Sequence, residues 1–183
     1  MYKRRRVIVK PEVIYVLDYL PYGRNRRRGP LIQAIGLESL RLVEVKLKEG
    51  VSLEIGNTIS LEDEKIDRIY GYIRYEDLTS SSKKELESFL DKYISENESK
   101  FVEFFNTAVP INPRIHQLEL IPGIGKRLLW RILKEREEKK FESFEEIKKR
   151  IPQIGDIKQM IKERILEEEK NEKLRHCLFV KRW

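Results

Sequence analysis

The chain has 183 residues, 40% of them apolar and 38% charged. This composition is typical of one large or two small folded domains with a strongly ionised surface. The single cysteine, Cys177, excludes an internal disulfide and favours a reducing compartment. No apolar run approaches the ~18 residues that cross a membrane, and the first apolar stretch is too short for a secretory signal. We therefore expect a cytoplasmic protein, with a Glu-, Lys-, Arg- and Ile-rich composition that resembles thermophile proteins.

The net charge of +7 is concentrated at one end of the chain. Residues 1–30 contain nine basic and two acidic residues, among them Lys3, Arg4, Arg5 and Arg6, whereas residues 31–183 are neutral overall. A basic cluster on a neutral body predicts a localised contact with a polyanion such as nucleic acid. The alternative is a solvated basic segment that keeps the protein soluble.

Residues 7–75 have the pattern of short β-strands separated by turns. The β-favouring run at residues 13–17 predicts a buried strand, and further strands are predicted at residues 31–35, 40–47, 51–55, 59–61 and 66–75. Five or six short strands within about seventy residues predict a small closed barrel, and an OB-like barrel is our first choice.

A basic loop joins the first two predicted strands. It contains Arg24, Arg26, Arg27 and Arg28, with Tyr22 beside them. At the rim of an OB-like barrel such a loop would contact a strand of nucleic acid, and Tyr22 would stack on a base. The alternative is a loop tip that is disordered without a ligand.

Helices are predicted after residue 79. Ser82 and Glu85 fit a capping box, and apolar residues then recur at helical spacing through Ile94 and again around Phe101. Pro110 and Pro113 end this helical region. We assign residues 79–109 to connecting helices.

The most specific signal is Leu-Ile-Pro-Gly-Ile-Gly-Lys-Arg at residues 120–127. An amphipathic segment runs into a Gly-x-Gly turn, and a basic helix follows. Glycines allow close approach of the backbone, and the start of a helix offers unpaired N–H groups that suit a phosphate. The predicted phosphate-binding residues are Gly123, Ile124, Gly125, Lys126 and Arg127, with Arg131 and Lys134 further along the same helical face. The alternatives are a helical corner with a solvated basic face and a protein-docking surface.

A second copy of this turn lies about thirty residues later. Ser143 and Glu146 form another capping box, and Ile-Pro-Gln-Ile-Gly follows at residues 151–155. Gln153 stands where Gly123 stands and adopts positive φ less readily, so we expect the second turn to bind more weakly or to be structural.

The C-terminal segment has two further features. The acidic run at residues 167–169 is predicted to be the solvated end of the last helix. The short apolar stretch at residues 177–180 predicts either an added strand of the barrel or a docked tail.

The two turns resemble the tandem helix-hairpin-helix domains of DNA-uptake and repair proteins, although Leu129 replaces an alanine that is frequent there. The whole chain also resembles an archaeal family of unknown function (domain of unknown function 655), including a segment like residues 106–116. In that family an OB-like β domain precedes the hairpin pair. The resemblance implies nucleic-acid binding, often labelled RNA-binding, without an established reaction.

Catalytic patterns are scarce. His116 and His176 belong to no catalytic or zinc-binding string, one cysteine cannot build a Cys-rich zinc site, and the Gly-x-Gly-Lys string lacks P-loop spacing. We expect no cofactor, no metal and no enzymatic activity. A small metal-dependent nuclease subunit is the weaker alternative.

The sequence therefore predicts a two-domain α+β protein. Residues 1–78 form an OB-like β-barrel, residues 79–109 connecting helices, residues 110–170 an all-α tandem helix-hairpin-helix domain, and residues 171–183 a strand or tail. The predicted function is non-catalytic binding of RNA or DNA through phosphates, by a monomer without membrane contact. The main alternative is an adaptor that docks a protein in a ribosome or repair assembly.

Overall fold

The computed structural model describes residues 9–182, which fold into a mixture of helices and antiparallel strands. They form two compact units. The first contains the described residues through Glu87 together with those from Glu168 onward, and the second is Ser88–Glu167. The predicted basic residues Lys3, Arg4, Arg5 and Arg6 lie outside the described residues.

The first unit is built on a five-stranded antiparallel sheet. The strands of this unit are β1 (Val13–Leu20), β2 (Gly23–Arg24), β3 (Arg27–Arg28), β4 (Leu31–Gly36), β5 (Leu42–Leu47), β6 (Thr58–Ser60) and β7 (Ile66–Tyr72). The order in the sheet is β6-β1-β4-β5-β7, and β2 pairs with β3 as a separate hairpin. A short 3₁₀-helix, Tyr75–Asp77, follows β7.

The sheet curls into a half-barrel, so the predicted closed barrel is wrong. Strands β6 and β7 are its two edges. The predicted strand at residues 51–55 is a loop, and Gly56 turns the chain at a φ of +91°. Strand β6 consequently has only three residues, and its partner in the sheet is β1.

The core of the first unit follows the period-two alternation of the strands. One face carries a buried apolar cluster formed by Ile14, Val16, Ile32, Ala34, Val43, Val45, Leu47, Ile59 and Leu61. All six residues of the central strand β4 are buried, so both of its faces are covered. This explains why β4 is a nearly continuous apolar run, whereas β5 has polar residues at alternate positions, Glu44 and Lys46.

A buried polar network ties the sheet to the chain that follows it. The Gln33 amide nitrogen donates to Glu44 Oε2 (3.1 Å) and to the Asp77 carbonyl (3.0 Å). Its oxygen accepts from the Thr79 backbone N–H (2.9 Å) and the Ser82 hydroxyl (2.7 Å). The amide thereby uses both donors and both acceptor positions, which offsets the cost of burying it.

The carboxylate of Glu44 extends this network to the β2–β3 hairpin. Glu44 is fully buried, and Arg24 approaches it with Nε at 3.0 Å and a terminal nitrogen at 2.8 Å. Arg27 forms a second ion pair with the same carboxylate and lies 4.2 Å from the centre of the Tyr70 ring. The basic hairpin is therefore held against the sheet by a buried acid that the sequence pattern did not reveal.

Five helices and a second small hairpin complete the chain. They are α1 (Ser80–Glu96), α2 (Glu98–Thr107), β8 (Pro110–Asn112), β9 (Ile115–His116), a 3₁₀-helix (Gln117–Leu120), α3 (Lys126–Glu138), α4 (Phe144–Arg150) and α5 (Ile157–Lys170).

The two predicted capping boxes have different outcomes. Ser143 Oγ caps α4 by accepting from the Glu146 N–H at 3.0 Å, as predicted, although the Glu146 carboxylate bonds to Glu142 N–H. The box at Ser82 is wrong, because Thr79 Oγ1 caps α1 by accepting from the Ser82 N–H. The Ser82 hydroxyl belongs instead to the buried network around Gln33.

The segment before the first glycine turn is not the α-helix that a complete helix-hairpin-helix motif would require. It forms the β8–β9 hairpin and a four-residue 3₁₀-helix. Pro110, Pro113 and Pro122 leave little room for an α-helix, because each removes a backbone donor. His116 caps the 3₁₀-helix, since its Nδ1 accepts from the Leu118 N–H at 3.1 Å.

The C-terminal segment docks as a tail rather than as a strand. The Glu168 carboxylate accepts from the backbone N–H groups of Leu178 (2.6 Å), Phe179 (3.0 Å) and Val180 (2.8 Å). Both Glu168 and Glu169 are buried, so the predicted solvated end of the last helix is wrong. Within the acidic run, Glu168 holds the tail, whereas Glu167 is exposed and pairs with Arg164.

Removing the Glu44 charge is expected to destabilise the first unit. The Glu44→Gln variant leaves the two arginines without their shared carboxylate, which should lower the free energy of unfolding by about 1–3 kcal/mol. Urea unfolding followed by circular dichroism measures this loss. Glu62→Gln, at an exposed glutamate of the same unit, is the control and should change stability by less than ~0.5 kcal/mol. Equal losses in both variants would contradict the assignment.

Burial raises the pKa of Glu169 to about 8, although Arg182 and Arg41 act in the opposite direction. Between the ordinary value of 4.5 and about 8, the unfolded state has lost the proton that the folded state keeps. Stability should therefore fall as the pH rises through this window and change no further above it.

The Glu169→Gln variant stays neutral throughout and should lose this part of the pH dependence. Its stability relative to the wild type should increase steadily from about pH 5 to about pH 9. Urea unfolding of both proteins across this range makes the comparison. Parallel pH profiles for the two proteins would show that Glu169 does not titrate in this way.

Candidate nucleic-acid interface

The first glycine turn, residues 121–125, is anchored by two buried isoleucines. Ile121 and Ile124 are 1% and 4% exposed, and the Ile124 N–H donates to the Ile121 carbonyl at 3.1 Å. Ile124 was predicted to help hold a phosphate, but its amide is used inside the turn. The exposed backbone of the turn therefore belongs to Gly123 and Gly125.

Glycine is favoured at positions 123 and 125 for different physical reasons. Gly123 has a φ of +91°, a left-handed conformation that side chains rarely adopt. Gly125 has an ordinary φ of −88°, and a Cβ placed on it would meet no atom within 4 Å. Glycine at position 123 is required by the backbone conformation. Glycine at position 125 leaves the space before the first turn of α3 free of a side chain.

Gly125 is also the N-cap residue of α3. No side chain of the described residues caps this helix. The first backbone hydrogen bond of the helix runs from the Leu129 N–H to the Gly125 carbonyl, at 2.9 Å. The N–H groups of the first helical turn have no intrahelical acceptor and form the positive end of the helix dipole. Such a terminus is suited to an anion.

The second turn, residues 151–155, repeats the hydrogen bond of the first but not its open helix start. Ile154 N–H donates to the Ile151 carbonyl at 3.0 Å. Positive φ at non-glycine residues 9–182 occurs only at Asn25 and Leu40, so Gln153 does not reproduce the conformation of Gly123. The Asp156 carboxylate accepts from Gln159 N–H at 3.1 Å and thus caps α5.

This cap changes the electrostatics of the second turn. In the alignment of the two turns, Asp156 follows Gly155 as Lys126 follows Gly125. An anion approaching α5 would meet a carboxylate that already occupies the helix terminus, whereas α3 begins with a cation. Among the described residues, the first turn leads into a helix without a capping side chain, and the second leads into a helix capped by Asp156.

Four basic residues of α3 were predicted to flank the phosphate, and two of them are already paired. Lys126 Nζ lies 2.8 Å from Glu119 Oε1 and donates to the Arg114 carbonyl at 2.8 Å. The hydrogen bond that Lys126 donates to the Glu119 carboxylate lowers the pKa of Glu119 from its ordinary value. Arg131 pairs with Glu135 at 2.8 Å.

The other two predicted cations of α3, Arg127 and Lys134, are exposed. Within the part of the chain that the structure describes, neither has an ion-pair partner. They lie seven residues apart and therefore share one face of the helix, about 10 Å apart along its axis.

A groove of about 780 Å³ joins these features. It is lined by Gly123, Gly125, Arg127, Leu128, Trp130, Arg131, Lys134 and Gln153. All of its charged lining residues are basic. The groove thus brings the exposed backbone of the first turn next to three cations of α3. Together, the two glycines and these three cations are five of the predicted site residues.

Trp130 is the groove residue that sequence reasoning missed. Its side chain is 68% exposed, while Leu129 and Ile132 carry the buried face of α3. The signal was available, because Trp130 falls three residues after Arg127 and four before Lys134, on the basic rather than the apolar face.

The second predicted contact, the β2–β3 hairpin, lies in the first unit. Arg24 and Arg27 bind the buried Glu44, as described above. Arg26 and Arg28 are exposed, and Tyr22 is 90% exposed. Two arginines therefore position the hairpin, and the other two, with Tyr22, face solvent.

Three further findings on the described residues concern His116, metal ligands and membrane-spanning helices. His116 is buried, and burial lowers its pKa, so it is a neutral structural residue of the 3₁₀-helix. Within residues 9–182 there is no cluster of three or more His, Cys, Asp or Glu side chains that could hold a metal ion. In the same range, the helices are all too short or too polar to cross a membrane.

Comparison with known proteins gives archaeal relatives. A family model described as protein of unknown function (DUF655) matches residues 10–181. The uncharacterized protein MJ0038 from Methanocaldococcus jannaschii is 38% identical over 173 residues, which cover 91% of this chain and 78% of that protein. The crystal structure of Af1531 from Archaeoglobus fulgidus matches with a TM-score of 0.79 and 37% identity, covering 93% of this chain and 99% of the other.

The two glycines of the first turn should respond differently to alanine. Gly123→Ala forces a side chain into the left-handed region and should lower the free energy of unfolding by about 1–2 kcal/mol. Gly125→Ala meets open space at an ordinary φ and should cost less than ~1 kcal/mol. Chemical unfolding of the two variants measures both. A larger loss at Gly125 would contradict the geometry of the turn.

Proposed function

The chain belongs to the DUF655 family of proteins of unknown function, and from that premise we propose that it binds nucleic acid without catalysing a reaction. The contact is made by the first glycine turn and the exposed face of α3. It is directed to the sugar-phosphate backbone. The proposal includes the interpretation of residues 110–170 as a tandem helix-hairpin-helix domain with a shortened first helix.

The observation that carries the proposal is the difference between the two related turns. The first leaves α3 uncapped by any described side chain, and the second places the Asp156 carboxylate at the start of α5. The isoleucine hydrogen bond is the same in both, so the turn alone does not explain the difference. An open, cation-flanked helix start is what phosphate binding requires.

The side chains of the groove support backbone contact rather than base reading. Arg127 and Lys134 are long, exposed and unpaired within the described residues, so they can reach phosphates without losing an existing ion pair. Arg131 and Lys126 would exchange Glu135 and Glu119 for a phosphate. Contacts of this kind position a nucleic acid but carry no sequence information.

The first unit contributes a second contact in this proposal. We interpret its curled sheet as an OB-like half-barrel, a type of fold that often binds single strands. Arg26 and Arg28 supply the exposed charge, and Tyr22 supplies an exposed aromatic ring. Arg24 and Arg27 act indirectly, because their ion pairs with Glu44 hold the hairpin in place.

A protein-docking adaptor is the alternative function, and the exposure of Trp130 favours it. Exposed tryptophans and arginines are frequent energetic centres of protein interfaces. Because the charged lining of the groove is entirely basic, such a partner would have to be acidic. Competition by an oligoglutamate peptide at the same groove would support the adaptor.

Binding should depend strongly on salt and on the unpaired cations of α3. We expect a linear fall of log affinity with log salt concentration for RNA and DNA, because bound phosphates release counterions. The double variant Arg127→Glu/Lys134→Glu should weaken binding to both and reduce the magnitude of the salt slope by about 2. Fluorescence anisotropy at several salt concentrations measures both quantities.

Lys158→Glu is the matched control for this experiment. Lys158 is exposed and is the second residue of α5, as Arg127 is the second residue of α3. Like the single variant Arg127→Glu, Lys158→Glu changes the net charge by two units, but it does so at the start of the helix that follows the capped turn. It should leave the salt slope nearly unchanged. A salt slope near zero for the wild type, or equal effects of Arg127→Glu and Lys158→Glu, would overturn the proposal.

A further inference from the structure

Trp130 is an exposed residue of α3 and does not belong to the buried face of that helix. It is 68% exposed, whereas the neighbouring Leu129 and the next core position, Ile132, are 4% and 0% exposed. A tryptophan is seldom left this exposed, because its ring has a large apolar surface. Phosphate contact by the groove does not account for it, since phosphates do not require an aromatic ring.

The position of Trp130 along α3 is specific. It stands between Arg127 and Lys134 on one helical face, about 4.5 Å along the axis from the first and about 6 Å from the second. All three line the same groove as Gly123 and Gly125. A flat ring is thus flanked on both sides by a cation and lies next to an open helix start.

We propose that this groove binds an unpaired nucleotide of a single-stranded nucleic acid. Trp130 stacks on its base, while Arg127 and Lys134 hold the phosphates on either side. The inference rests on the proposed function and adds the class of ligand to it.

The choice of an unpaired base follows from stacking geometry. Inside a duplex both faces of each base are covered by its neighbours, so an aromatic side chain finds no face to contact. In a single strand, aromatic side chains stack on bases of any sequence, and basic side chains follow the backbone. A duplex would leave the Trp130 ring exposed beside the phosphates.

An acidic peptide fits the charge of the groove but not its whole chemistry. It would satisfy the cations, yet it offers the ring no matching flat partner at each residue. The exposed glycine backbone beside an uncapped helix start suits a phosphate oxygen that accepts several N–H groups. The observations therefore favour the nucleotide.

Intrinsic fluorescence of Trp130 tests the proposal. The chain has two tryptophans, so the measurements use a Trp183→Phe background. The probes are an oligouridylate, an oligothymidylate, an abasic single strand of the same length, a blunt-ended duplex and an oligoglutamate peptide. The first two distinguish RNA from DNA, and the abasic strand keeps the phosphates without the bases.

Both base-bearing single strands should quench Trp130 and bind more tightly than the abasic strand and the duplex. In anisotropy measurements, Trp130→Ala should weaken binding of the base-bearing single strands about 5- to 150-fold, the loss of one stacked base. It should leave the abasic strand and the duplex unchanged. Trp130→Phe should restore most of the affinity.

Three results would overturn the inference. They are equal binding of abasic and base-bearing strands, equal losses for single strand and duplex in Trp130→Ala, and quenching by the peptide instead of the oligonucleotides. If salt-dependent binding still requires Arg127 and Lys134, the first two leave the proposed function standing. Loss of all salt-dependent binding would instead remove the proposed function itself.

Discussion

The second unit depends on a backbone hydrogen bond that occurs twice. Ile124 N–H donates to Ile121, and Ile154 N–H donates to Ile151, with all four side chains buried. Each bond closes a turn that leads into a helix, and the buried isoleucines anchor that turn in the core. The two helix starts differ, because α3 begins two residues after Ile124 and α5 begins three residues after Ile154, behind the capping Asp156. Glycine followed by lysine leaves the first open, and a capping aspartate closes the second.

In the first unit, buried carboxylates take the corresponding role. Glu44 receives the arginines of the basic hairpin, and Glu168 receives three backbone N–H groups of the tail. A buried charge is costly unless it is paired and hydrogen-bonded, so each of these acids fixes the segment that satisfies it. The arginines of the basic hairpin therefore fall into two groups. Arg24 and Arg27 position the hairpin, whereas Arg26 and Arg28 remain exposed.

The sequence predicted the elements whose signals are local. Strand alternation placed the sheet, the Ser143 cap placed α4, and the repeated turn predicted the difference between Gly123 and Gln153. Predictions from the sequence were wrong where the structure depends on contacts between residues that are distant in the chain. The solvated acidic run and the Ser82 cap were wrong because nothing local marks Glu168 or Gln33 as buried. The closed barrel was wrong because the sheet ends in two edge strands, and residues 51–55 form a loop. Trp130 was missed although its helical position, three residues after Arg127 and four before Lys134, is on the basic face of α3.

The central claim is that the first turn of α3, and not that of α5, receives a phosphate. Two-dimensional amide NMR during titration with an oligonucleotide tests it directly, because each backbone N–H reports its own environment. We expect the largest shifts at Lys126, Arg127 and Leu128, with little change at Ile157 and Lys158. Equal shifts at both helix starts, or shifts confined to side chains away from α3, would contradict it.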